Sequence, residues 1–184
     1  MPRLPVRGEP LILIAERLRD FRVYAVGPDL WLANLPFRQS HVEALRAAGA
    51  RTVLNLCQDG EYRTFRTRPS QREEIELAYA AAQIQEIRLP LEDKSAPSLE
   101  LLDRAVAAFQ EAERSGETPF VVHCRGGRER SVTALAAILS EREQCAVKPA
   151  LRRIKAVYGG ASPLRSQREA LRLWASSRGL PGGS

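Results

Sequence analysis

The sequence predicts a single α/β domain in which a mainly parallel central sheet is flanked by helices. Three observations carry this. Short apolar strand patterns alternate with segments of helical periodicity, an order that builds parallel sheets through crossover connections. The 184 residues suffice for one sizeable core and are too few for two ordinary domains. No internal repeat interrupts the alternation. On this reading residues 1–20 form an arm or cap, 21–178 the domain and 179–184 a flexible tail.

Taken in order, Arg22–Ala25 and Leu30–Leu32 are short apolar runs around Gly27-Pro28-Asp29, which reads as a hairpin or a pair of edge strands. Ser40 with Glu43 is a capping-box pattern, and Val42, Leu45 and Ala48 share one face of a helix that Gly49 ends. Thr52–Cys57 reads as a buried strand, and the polar stretch Gln58–Pro69, rich in arginine (Arg63, Arg66, Arg68), as a surface loop. Ser70 and Glu73 repeat the capping-box pattern ahead of a helix faced by Ile75, Ala78, Tyr79 and Ala82. Ile84–Leu89 alternates as a strand, and the loop Leu91–Pro97 leads to a helix with Leu99, Leu102, Val106 and Phe109 on one face. Phe120–His123 is a short buried strand and Cys124–Arg130 a compact loop. Val132, Leu135, Ala136 and Leu139 mark a helix that begins as the loop ends. Two helices close the chain, one faced by Leu151, Ile154 and Val157, the other by Leu164, Leu171 and Trp174.

With 44% hydrophobic and 27% charged residues the composition is that of a globular protein. No stretch approaches the ~20 apolar residues of a membrane span, and the early apolar run Leu11–Ala15 is too short for a secretory signal. The expectation is a cytoplasmic protein, monomeric, with no transmembrane segment. Cys57, Cys124 and Cys145 are odd in number and far apart, which fits neither a disulfide framework nor a CxxC metal site. Reduced thiols and no metal or cofactor are expected. The net charge of +6 is uneven: residues 121–184 hold twelve Lys and Arg against four Asp and Glu, residues 1–120 sixteen against eighteen. A basic C-terminal third suits an anionic substrate, and equally an acidic surface or a merely solvated face. No RNA-binding aromatic motif or helix-turn-helix pattern accompanies it, so no nucleic-acid partner is expected.

A strand that enters a glycine-containing loop and then a helix presents several backbone N–H groups at the helix N-terminus, where hydrogen bonds and the dipole favour an oxyanion. The same donors stabilise a thiolate nucleophile at the loop's entrance, the position of Cys124. Arg130 stands six residues on, where its guanidinium can fold back and bind two phosphoryl oxygens.

The stretch Val122-His-Cys-Arg-Gly-Gly-Arg-Glu-Arg-Ser131 resembles the HCxxGxxRS signature of dual-specificity phosphatases, within the cysteine-dependent protein tyrosine phosphatase superfamily. The resemblance extends to Leu30-Trp-Leu-Ala-Asn-Leu-Pro36, Val53-Leu-Asn-Leu-Cys57 and Ser162-Pro163, and covers about residues 22–175. It implies that Cys124 attacks phosphorus to give a phosphocysteine, that Arg130 binds the equatorial oxygens, and that Ser131 eases departure of the thiolate. It also implies that His123 is structural, and that Arg125, Gly126, Gly127, Arg128 and Glu129 line the phosphate.

The leaving oxygen needs a proton, and a carboxyl group on a nearby loop can supply it. Asp93 is the candidate, in a Pro-flanked loop 31 residues before Cys124, where dual-specificity phosphatases keep their general acid; Glu92 and Asp59 are the alternates. Glu129 breaks the family pattern, since an acid beside a phosphate dianion is repulsive. It points away or pairs with an arginine, or shares in proton transfer, as the acid does at the corresponding position of myotubularin-like and Sac-like phosphatases. Arg125 and Arg128 resemble the basic loop positions of phosphatases acting on phosphoinositides or phosphatidylglycerophosphate. Cys57 is either core or a partner for a reversible disulfide with Cys124. Arg63, Arg66, Arg68 and Arg72 line the site entrance or solvate a surface.

The expected partner is therefore a phosphorylated protein or, as the alternative, an anionic phospholipid or inositol phosphate. A rhodanese-like sulfurtransferase is disfavoured because its loop is usually one residue shorter. A phosphate-binding module without turnover is disfavoured because Cys124, Arg130 and an acid are all in place.

Overall fold

The architecture rests on a computed structural model that describes residues 21–64 and 72–181. Strand β1 (Val23–Ala25) folds back antiparallel on β2 (Leu30–Asn34). Then come α1 (Gln39–Ala48), β3 (Thr52–Asn55), a 3₁₀ turn (Asp59–Thr64), α2 (Arg72–Ala81) and β4 (Gln85–Arg88). After them come α3 (Leu99–Arg114), β5 (Phe120–Cys124), α4 (Arg130–Glu143), α5 (Val147–Val157) and α6 (Arg165–Ser177). The sheet order is β1-β2-β5-β3-β4, and every neighbouring pair except β1–β2 is parallel. This is the mainly parallel α/β sandwich expected from the alternation of patterns.

Two apolar layers cover the sheet because successive strand residues point to opposite faces. Leu30, Leu32, Leu54 and Val122 pack into the larger cluster with residues of α3, α4, α5 and α6, while Trp31, Ala33, Val53 and Val121 pack with residues of α1 and α2. Helix α4 lies deepest, with all residues from Arg130 to Ser140 buried. Its first turn is therefore fixed against the sheet. The register aligns Asn34 of β2 with Cys124 of β5, and Asn55 of β3 with His123, so the carboxyl ends of three parallel strands meet at one edge. That edge is where open α/β sheets place ligands.

Several local expectations are corrected. Helix α1 begins at Gln39 with Arg38 as its cap and no side-chain capping bond, so Ser40 lies inside the first turn and the capping box with Glu43 does not form. Gln39 Nε2 instead donates to Glu43 one turn on, at 2.7 Å. Gly49 does end the helix, at φ 106°. Leu99 is 40% exposed rather than core, because it opens α3 ahead of the buried Leu102. The segment from Gln58 is not wholly a surface loop, since Glu61 and Tyr62 are buried in the 3₁₀ turn. Arg72 neither lines an entrance nor solvates a surface: it is buried and paired with Glu86. The N-terminal arm, the Ser70 cap, Arg66, Arg68 and residues 182–184 lie outside the described residues.

Candidate active site

The loop Cys124–Glu129 leaves β5 at the sheet's centre and closes onto α4, whose first N–H groups have no intrahelical acceptor. Its curvature is set by contacts on both sides. Gly127 adopts φ +66°, and a Cβ there would lie 2.8 Å from the Ala33 carbonyl oxygen of β2. Leu35 N–H donates to the Arg125 carbonyl at 3.2 Å and Ser162 N–H to the Arg128 carbonyl at 2.8 Å. The loop is thereby held between β2 and the connection from α5 to α6. Cys124 is buried, with its Sγ 3.2 Å from the Ser131 hydroxyl in the first turn of α4.

Arg130 ties the remaining walls together. Its Nη1 donates to Glu61 Oε1 at 2.7 Å and to the Leu91 and Leu56 carbonyls at 2.8 and 3.3 Å, and its Nη2 donates to Glu61 Oε2 at 2.6 Å. Burial disfavours the guanidinium's charge, but the Glu61 hydrogen bonds and the neighbouring Cys124 outweigh it and hold the pKa above the ordinary arginine value. Glu61 is itself fixed by the Gln58 N–H, which donates to Oε1 at 2.8 Å. Asp93 Oδ1 lies 3.1 Å from Arg130 Nη2, with the Asp93 side chain 48% exposed. The alternates stand elsewhere: Glu92 accepts from the Ser95 hydroxyl and Asp59 pairs with Arg88.

Behind the loop, His123 is fully buried, with its Nε2 3.5 Å from the Tyr79 hydroxyl. Burial pushes its imidazole down to about 3, helped by Arg72, Arg130 and Arg88, so it is neutral. Cys57 lies in the smaller core cluster, and burial, with the charges of Glu61 and Cys124, pushes its thiol well up. It and Cys124 are both free thiols. Arg125 and Arg128 are exposed on the loop's rim. Glu129 is half-buried as the cap of α4, and its carbonyl accepts from the Thr133 hydroxyl at 2.9 Å. No group of three His, Cys, Asp or Glu side chains able to hold a metal occurs among the described residues.

A family model described as PTP-SAK, Swiss Army Knife protein, DSP-PTPase phosphatase domain, matches residues 26–178. The chain belongs to this family. No curated protein sequence matches it closely. The DSP-PTPase fold recurs in the crystal structure of Tk-PTP in its active form, at TM-score 0.72 and 20% identity over 84% of this chain and 96% of that one. PTPMT1 in complex with PI(5)P gives 0.70 and 21% over 84% and 95%, and human DUSP28 gives 0.64 and 21% over 84% and 96%.

The structure thus brings together Cys124, Arg130, Ser131 and Asp93 around one loop, with Arg125 and Arg128 at its rim. Sequence reasoning missed two supporting residues. Glu61 sits in a polar stretch that reads as solvated, and only the adjacent Tyr62 hints at burial. Buried Gln167 of α6 accepts from Leu164 N–H and donates to the Ser95 carbonyl at 3.0 Å, which steadies the loop that carries Asp93. Its position three residues after the helix cap is the available signal.

Proposed function

We propose that this chain hydrolyses phosphomonoesters through a phosphocysteine on Cys124, as a dual-specificity phosphatase acting on phosphotyrosine, phosphoserine or phosphothreonine of proteins. The observation that carries the reading is the arrangement of Arg130. Glu61 occupies the end-on edge of its guanidinium, and the Leu91 and Leu56 carbonyls take the rest of Nη1. The Nε–Nη2 edge is the one that matches a tetrahedral phosphoryl group bidentately.

In the first step Cys124 Sγ attacks phosphorus, the bond to the leaving oxygen breaks, and Asp93 gives that oxygen its proton. Asp93 begins as a carboxylate in contact with Nη2, where a phosphoryl oxygen would bind, so substrate arrival displaces it, and it takes the proton of the phosphate monoanion that it then gives to the leaving oxygen. In the second step the Asp93 carboxylate takes a proton from water as the water oxygen attacks phosphorus. Cys124 leaves as thiolate, and the Ser131 hydroxyl donates a hydrogen bond to it. Inorganic phosphate is released with no redox change and no metal in the cycle. His123, neutral and buried, holds the end of β5 and takes no proton.

A second reading, a phosphoinositide or inositol phosphate as substrate, is favoured by the exposed Arg125 and Arg128 and by the PI(5)P bound to the similarly folded PTPMT1. The experiment is phosphate release, without added metal, from a phosphotyrosine peptide and a phosphoinositide panel. Activity that disappears in Cys124→Ser and falls in Asp93→Asn supports the mechanism, and the preferred substrate decides between the readings. A wild type that binds these ligands tightly and turns over none of them would instead be a phosphate-binding module.

A further inference from the structure

Beside the loop, Arg128 of the rim adjoins an aromatic and basic surface whose other members, Tyr24, Tyr158 and Arg22, the chemistry above does not use. Tyr24 of β1 stacks on Tyr158, the residue after α5, with ring centroids 4.5 Å apart and planes inclined by 24°. Gly160 lies against the second ring, since a Cβ there would come 2.5 Å from the Tyr158 ring and hydroxyl. The same glycine's carbonyl accepts from Arg128 Nε at 3.4 Å, which ties the aromatic pair to the rim.

Arg22 adds a second exposed cation near this pair. It stands one residue before β1 and two before Tyr24, and since Asn34 N–H donates to its carbonyl the extended pairing continues there, which puts it on Tyr24's face. Its backbone N–H donates to Asn34 Oδ1 at 2.7 Å, and Asn34 is the register partner of Cys124. Two strand spacings, roughly 10 Å, therefore separate Arg22 from the nucleophile across the sheet. Arg22 and Arg128 are exposed, and neither is paired with a carboxylate among the described residues. Both act on the Tyr158 phenol: burial raises its pKa, while these two arginines pull it down.

Two exposed arginines beside a stacked aromatic pair suit a ring that carries a further phosphate. The arginines bind its oxygens, the phenol hydroxyls donate to it, and the aromatic faces cover apolar C–H surface. We propose that Arg22 and Arg128, with Tyr24 and Tyr158 as floor, bind a second phosphate of the substrate and so select polyphosphorylated ring head groups, free or lipid-borne. This rests on the phosphatase reading in its second form, with a phosphoinositide or inositol phosphate as substrate in place of a phosphoprotein, and narrows that form to head groups with at least two phosphates. A phosphotyrosine ring would use the floor and leave both arginines unmatched.

The test compares kcat/KM for inositol monophosphate with that for inositol bisphosphate isomers, and repeats it with the same head groups as lipids in phosphatidylcholine vesicles. Para-nitrophenyl phosphate serves as the reference. The wild type is expected to prefer at least one bisphosphate by about tenfold. Arg22→Gln is expected to reduce that preference about fivefold, ~1 kcal/mol, and Arg22→Gln with Arg128→Gln to abolish it. Higher rates on vesicles would identify the lipid as the source, and equal rates the free head group. No preference in the wild type, a preference that survives both substitutions, or higher rates on phosphotyrosine peptides than on any bisphosphate would overturn the proposal. Failure on every substrate, para-nitrophenyl phosphate included, would count against the phosphatase reading. Calorimetric binding of inositol bisphosphate to Cys124→Ser, with and without Arg22→Gln, still reads the subsite in that case, and equal affinities would sink it.

Discussion

Glu61 and Arg130 meet end-on, the carboxylate accepting from both terminal nitrogens at 2.7 and 2.6 Å, with the arginine side chain 1% and the acid 10% exposed. A buried arginine needs such a partner, because an unpaired charge in this setting is costly. The pair also fixes which edge of the guanidinium is left for the phosphate binding proposed above.

Removing the acid should therefore damage both stability and catalysis. Glu61→Ala leaves a buried guanidinium uncompensated and is expected to lower stability by about 3 kcal/mol in chemical denaturation. Glu61→Gln keeps an acceptor and the side-chain volume, and should fold better while losing about tenfold in kcat/KM, chiefly through KM. Unchanged KM in the glutamine variant would remove Glu61 from the phosphate-binding machinery.

Gly127→Ala places a methyl group 2.8 Å from the Ala33 carbonyl at a residue with φ +66°. The strain, about 1–3 kcal/mol, must be relieved by moving the loop away from β2. We expect a loss of about two orders of magnitude in kcat/KM, with a smaller loss for Gly126→Ala, whose Cβ meets only the flexible Arg128 side chain at 3.7 Å. Equal activities in the two variants would show that the contact with β2 does not shape the loop.

Stability should depend on pH through His123, whose value is lowered from 6.5 to about 3 by burial. Between those values the unfolded chain binds a proton that the fold refuses, so stability falls as pH falls through the window, by about 1.4 kcal/mol per unit. Above the upper value the term is flat. His123→Gln should flatten the slope between about pH 6.5 and 5, before most carboxylates titrate. Parallel stability curves for the two proteins would mean that the imidazole is protonated in the fold.

Ser131→Ala removes the hydroxyl 3.2 Å from the Cys124 sulfur. Thiolate departure in the second step should slow, so that rapid-mixing kinetics show a burst of leaving group followed by slow turnover, with the phosphocysteine trapped on acid quench. A lower rate without a burst would place the serine's effect on the first step.

The strand and helix order was legible because each pattern lies within a few residues of sequence, as with Ile75, Ala78 and Tyr79 on α2 or Phe120 to His123 on β5. The loop from Cys124 to Ser131 was legible for the same reason. Glu61 was not: its burial comes from meeting Arg130, 69 residues away, and no local pattern encodes that contact. The cap expected at Ser40 failed because Gln39 already belongs to α1. Tyr158 carried no signal in the sequence either, since only the fold brings Tyr24 of β1 beside the end of α5.

The order β1-β2-β5-β3-β4 divides labour across the sheet. Cys124 and Arg130 belong to the innermost strand and the helix it feeds, where packing tolerates little change, whereas Tyr24 stands on the edge strand β1, Arg22 just before it and Tyr158 on a late connection. Peripheral positions accept substitution at small cost to stability. Descendants of one ancestral catalyst could thus trade cargo by altering the periphery, leaving the reaction centre untouched.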